Sequence, residues 1–222
     1  MSIWELSAWR LLLAGGPIMV PIFICSVVAL GIVIEKLWYF SAVHINTHKL
    51  KQEIFYHLKN NKIKEAIELC DKNVSPVAKI LKAGILKFGY SRENIKEAME
   101  EFSLFEIPRL EKRLGALSTI ANISPLLGLL GTVIGMTGSF HAIQARAAIN
   151  NPVTAGDLAG GIWEALITTV AGLMVAIPTY VAYNYCVSRI NTIILEMERV
   201  ATELVNFLCQ ISESQDVPKG DY

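Results

Sequence analysis

Leu114 to Ala145 reads LGALSTIANISPLLGLLGTVIGMTGSFHAIQA, 32 residues without one Asp, Glu, Lys or Arg. A helix crosses a bilayer with about 20 mostly apolar residues, so this run alone is long enough. Leu11 to Ile34 and Ala165 to Ser188 are also free of charge, at 24 residues each. A soluble fold would need far more than 222 residues to cover three helices that are apolar on every side. The pattern predicts an all-α integral membrane protein with three spans. Composition agrees, with 53% hydrophobic and 18% charged residues, against about 25% charged in an average soluble domain. Twenty basic and 20 acidic residues cancel, so no net charge recommends nucleic acid as a partner. The first run is too long for the core of a cleaved signal peptide and ends in Glu35-Lys36-Leu37-Trp38, without a small-x-small site.

Lys and Arg near the spans mark the cytoplasmic side. Ser41 to Arg113 carries 14 of the 20 basic residues, and Lys36, Arg189, Arg199 and Lys219 fall on the same side. Arg10 and Arg146 are left for the other. The expected order is an interfacial helix over 1–16 outside, a first span over 17–40, and a cytoplasmic helical segment over 41–113. A second span over 114–147, a short outer loop over 148–156, a third span over 157–188 and an inward helix and tail over 189–222 follow. Trp38, Tyr39 and Phe40 at one border, and Tyr180, Tyr183 and Tyr185 at another, fit interfacial aromatic belts.

Within 41–113 the apolar residues recur at helical spacing. Ser75-Pro76 is an N-cap followed by proline at the first helical position. Gly89 is expected to end that helix, Ser91 to cap the next, and Pro108 to kink it. No loop signal separates Arg92 from Ala147, so one rod of about 80 Å is expected, its apolar stripes covered by other copies of the chain.

Chemistry-bearing motifs are few. Cys25, Cys70, Cys186 and Cys209 are dispersed and read as free thiols. His44 and His48 have i, i+4 spacing but no third ligand, so no metal site is expected. No hydrolase signature, Walker motif or dinucleotide loop is present, and neither an enzyme nor a cofactor is expected. Gly131, Gly135 and Ser139 lie four apart, a small-xxx-small face that lets helices approach closely. Gly128 extends it, and Pro178 is expected to bend the third span and free a carbonyl.

Glu164 carries the most information. With the third span starting near Asp157, it lies about two turns inside. A carboxylate at that depth costs a few kcal/mol or more, so it faces a cavity or a partner. The alternative is a place in the headgroup layer beside Trp163, and position alone leaves both open. Thr168 follows one turn later, with Thr169 beside it, and Thr132 and Ser139 add hydroxyls on the second span. A carboxyl followed by hydroxyls on a wetted helix can relay protons or cations. A lone membrane threonine, by contrast, commonly bonds its own helix.

Two blocks resemble a known family. Ser124 to Phe140, with its GLLGTVIGM core, is similar to the second span of the MotA/TolQ/ExbB proton-channel family. Gly161 to Pro178, GIWEALITTVAGLMVAIP, resembles its third span, and Tyr183-Asn184 its continuation. Three spans with a large segment after the first look like the ExbB and TolQ branch rather than the flagellar stators. The resemblance implies a ring of five copies around a pore in the bacterial inner membrane. It also implies a single-span partner of the ExbD or TolR type in that pore, bearing an aspartate. Thr132 and Thr169 correspond to the family's pore-facing threonines, and Glu164 to its third-span glutamate. The implied task is to couple proton-motive force to a TonB- or TolA-like protein. Segment 41–113 offers no family block and leaves a gliding-motility motor open. A structural scaffold is the competing class. A solute transporter is disfavoured, because no inverted repeat with broken helices is visible.

Overall fold

The computed structural model describes residues 15–43, 47–73, 75–148, 152 and 154–214. Residues 1–14 of the expected interfacial helix, His44, four of the nine residues of the outer loop (149–151 and 153) and the tail beyond Ser214 lie outside these residues. Among the described residues there are seven helices and no strand: α1 (Met19–Val43), α2 (Thr47–Lys59), α3 (Ile63–Lys72), α4 (Pro76–Ile85), α5 (Arg92–Glu111), α6 (Leu114–Ala148) and α7 (Ala155–Ser214). Three stretches are long and apolar enough to cross a membrane: Met19–Ser41 and windows within Arg92–Ala148 and Leu158–Ile211. The described residues are those of an all-α, multi-pass membrane protein.

Contacts divide the chain into two compact units, Met1–Glu35 with Arg113–Tyr185, and Lys36–Lys112 with Cys186–Tyr222. The first holds most of α1, all of α6 and the first half of α7. Its small apolar core joins Ala29, Ile32, Leu117 and Ile120, with Cys25, Val33, Val175 and Tyr183 packed against it. Its outer surface is apolar as well: Phe23, Val27, Leu129, Val133, Val170 and Ile177 are all exposed. So much exposed apolar surface suits lipid or neighbouring subunits, not water.

The second unit packs α2 to α5 against the second half of α7. Ile54, Leu81, Ile95, Met99, Met197 and Leu204 are fully buried in its core. Phe55 and Phe207 meet edge to face at 4.7 Å between ring centroids. The expected caps are present. Ser75 Oγ accepts from Ala78 N at 3.2 Å and Ser91 Oγ from Asn94 N at 3.3 Å. Helix α4 ends four residues earlier than the glycine suggested, and Gly89 closes the following turn at φ +90. Pro108 lies inside α5 without ending it.

The rod expected over Arg92 to Ala147 is broken. Lys112 leaves the helix at φ −48, ψ 133, and Arg113 adopts φ 69. That left-handed conformation costs a non-glycine residue about 1–2 kcal/mol. Tertiary partners compensate on each side of the break. Within the first unit Arg113 pairs with Glu35. Within the second, the buried Lys36 Nζ donates to the Leu110 carbonyl at 2.7 Å, satisfying an orphan acceptor of the last turn of α5.

Two predictions arise in the second unit. Cys70 is buried in the α3 face, and burial pushes its thiol from an ordinary 9.0 up to about 12. A raised native pKa favours the fold below the unfolded value, and that contribution is lost as pH rises through the native one. Alkylation at pH 8, read by mass spectrometry, should spare Cys70 in the folded chain and modify it after denaturation. Stability should also fall between about pH 9 and 12, and less so in Cys70→Ala.

Glu106 is 5% exposed; its Oε1 accepts from Lys79 at 2.7 Å and from Arg109 at 3.4 Å. Lys79→Met removes the closer donor and leaves the carboxylate underpaired, at a cost of about 1–3 kcal/mol. Thermal unfolding should register that loss, and a second change, Glu106→Leu, should recover much of it.

Candidate functional site

The site is built on the seam between α6 and α7, two antiparallel helices of the first unit. Small residues make the seam. A Cβ added at Gly128 would lie 3.0 Å from the Thr168 carbonyl oxygen and 3.0 Å from Thr169 Cα. One added at Gly131 would run into the Thr168 side chain, meeting its Cβ at 2.5 Å. At Gly135 it would meet the Gly161 carbonyl at 2.7 Å and Ala165 Cβ at 3.0 Å. Gly172 faces Ser124 and Gly128 in the same way, and Gly161 faces Ser139. The stripe read on the second span, Gly128, Gly131, Gly135 and Ser139, is therefore in contact with α7. Its counterpart on α7 is Gly161, Ala165, Thr168 and Gly172, of which the sequence reading singles out Thr168 alone, and for its hydroxyl. The signal was available, since Gly161-xxx-Ala165 and Thr168-xxx-Gly172 repeat the small-xxx-small spacing.

The hydroxyls occupy three settings. Thr168 is 1% exposed and fills the notch of Gly131, donating to the Ala165 carbonyl at 2.8 Å. Ser139, 4% exposed, lies across from Gly161 and donates to the Leu158 carbonyl at 3.3 Å. Both are enclosed within the protomer. Thr169 is half-buried and bonds across the seam, Oγ1 donating to the Gly128 carbonyl at 3.1 Å. Thr132, also half-buried, donates to the Leu129 carbonyl of its own helix at 2.6 Å.

Glu164 stands one turn before Thr168 on α7 and is half-buried. Its carboxyl reaches the turn that precedes α1, where Oε1 occupies the space a Cβ on Gly16 would take. Gly15, next to it, would touch Thr168 Cγ2 at 3.3 Å if it bore a Cβ. Glu164, Thr168 and Thr169 thus lie together on α7, Ser139 lies opposite Gly161 at the Glu164 end of the seam, and Thr132 sits beside Gly131 on α6. Gly15 and Gly16 had no role in the sequence reading. Their juxtaposition with Glu164 depends on tertiary packing across 148 residues, and only the Gly-Gly-Pro turn hinted at a close approach.

Pro125 and Pro178 lie inside α6 and α7 without ending either helix. Each forfeits one backbone hydrogen bond. Among the described residues no group of three or more His, Cys, Asp or Glu is placed to hold a metal ion.

A family model described as the MotA/TolQ/ExbB proton channel family matches residues 72–199, which include the whole seam and Glu164. The putative biopolymer transport protein ExbB-like 3 of Synechocystis sp. is 30% identical over 172 residues, covering 78% of this chain and 81% of the relative. The biopolymer transport protein ExbB of Salmonella typhimurium is 31% identical over 174 residues, covering 68% and 70%. The Tol-Pal system protein TolQ of Haemophilus influenzae is 43% identical over 88 residues, covering 40% and 37%.

Proposed function

The chain belongs to the MotA/TolQ/ExbB proton channel family, and from that premise we propose that it conducts protons as the ring subunit of an energy-transducing complex in the inner membrane. Glu164 carries the proposal. It is the only charged residue between Leu158 and Ser188, on a helix of membrane-spanning length. A carboxyl retained at such a cost is by default functional. Thr169 follows it on α7 and Thr132 lies on α6, both half-buried hydroxyls that can re-aim from backbone carbonyls to water or a passing proton.

In the resemblance stated above, five copies enclose a pore that admits a single-span, ExbD- or TolR-like helix bearing an aspartate. Movement of that partner would drive a TonB- or TolA-like protein toward the outer membrane. The exposed apolar residues of α1, α6 and α7 favour such an assembly, because lipid and neighbouring helices can both cover them. The placement of Lys and Arg favours an outer N-terminus, with segment 41–113 and the tail in the cytoplasm. No cofactor is called for. A motility motor of the same family would use the same carboxyl.

One observation favours a scaffold instead. Thr132, Thr168 and Thr169 all donate to backbone carbonyls, as purely structural hydroxyls do. Reconstitution separates the two. The chain, co-reconstituted in liposomes with the single-span protein that co-purifies with it, should pass protons under an imposed potential, and the detergent-solubilised ring should weigh five protomers plus partner. A scaffold passes none.

A further inference from the structure

We propose that Gly16 is a positioning residue for Glu164, and that the turn Gly15-Gly16-Pro17 walls the carboxyl in at the start of α1. Two adjacent observations carry this. Gly16 has φ +64, a conformation that L side chains rarely adopt, and the space its Cβ would fill is occupied by Glu164 Oε1. Gly15 packs less closely against α7 one turn on, where a Cβ would meet Thr168 Cγ2 at 3.3 Å. Two consecutive glycines therefore abut two residues spaced i, i+4 on α7. The turn is fixed from its other side: Met19 N donates to the Gly16 carbonyl at 3.2 Å, and Met19 is buried. Any side chain at position 16 takes the place of the carboxyl, which must swing away from the turn.

The inference rests on the role given to Glu164 above, but its test does not need proton flux. Dicyclohexylcarbodiimide adds to protonated carboxyls in an apolar medium, and the adduct on Glu164 can be counted by mass spectrometry. In the full chain in lipid vesicles, Gly16→Ala should expose the carboxyl and raise its labelling rate threefold or more. Gly89→Ala is the control for backbone strain, since Gly89 has φ +90 and nothing within 4 Å of its Cβ position; it should leave the labelling of Glu164 unchanged. Should Gly16→Ala fail to fold, the double variant Gly16→Ala with Glu164→Ala should fold again, because the colliding group is gone. Labelling less than threefold faster in a folded Gly16→Ala protein overturns the inference, as does an unfolded variant that Glu164→Ala does not restore. Either result leaves proton conduction by Glu164 standing, and that is tested separately.

Discussion

Glu164→Gln is expected to abolish proton flux in vesicles that hold the chain and the single-span partner proposed for it, while the protein remains folded. Glutamine keeps the shape of the side chain and cannot ionise at any accessible pH, so a path that needs a titrating group at this point is closed. The fold has no need of the charge. Holding a carboxylate within an apolar span costs at least about 2.5 kcal/mol, and the seam beside it is made by Gly161, Ala165 and Thr168 rather than by the carboxyl. Thermal stability should therefore be equal to wild type or slightly higher. This split, function lost and stability kept, is the signature expected of a working group as opposed to a packing one. Proton flux at the wild-type rate in Glu164→Gln would remove the basis of the proposed mechanism.

A loss of stability itself is expected from Gly135→Val. A single Cβ there already lies 2.7 Å from the Gly161 carbonyl and 3.0 Å from Ala165, and a backbone atom cannot swing aside as a side-chain tip can. Valine adds two methyl groups to that collision, so α6 and α7 must separate along much of the seam. Overpacking a tight core costs about 1–3 kcal/mol and occasionally more; with backbone on the opposing side, at least about 3 kcal/mol is expected. Loss of folded protein in detergent, read by thermal unfolding and size-exclusion chromatography, checks it. Gly138→Ala, three residues on with nothing within 4 Å of its Cβ position, should leave the protomer as stable as wild type or up to about 1 kcal/mol more stable, since alanine is the better helix former. Equal stability of the two variants would contradict the seam.

What the sequence made legible divides along physical lines. Runs without charge reveal spans because lipid imposes length and apolarity on each helix alone. Ser75-Pro76 and Ser91 were legible for a similar reason, since a cap is a contact between residues three apart. The break at Lys112 and Arg113 was not, because arginine carries no turn signal. What offsets its left-handed backbone is Glu35, 78 positions away. At the site, Glu164 stood out as a lone charge, and the glycine stripe of α6 as a spacing. Nothing local distinguishes Thr168, enclosed in the seam, from Thr169, which bonds across it. A helix face is assigned by its neighbour, and the neighbour's matching stripe had to be read together with it. Gly16 belongs to the same class: a residue without a side chain becomes informative only when something else is seen to fill its place.

The notches between α6 and α7 also limit how the protein can move. If one helix slid along the other by a single turn, about 5.4 Å, Gly172 or Glu164 would arrive where Thr168 now fills the Gly131 notch. The interlocking would then have to be rebuilt at every step. Two such staves travel together or not at all, so any stroke in the proposed mechanism has to be taken up at their outer surfaces, where one pair slips past whatever lies beside it.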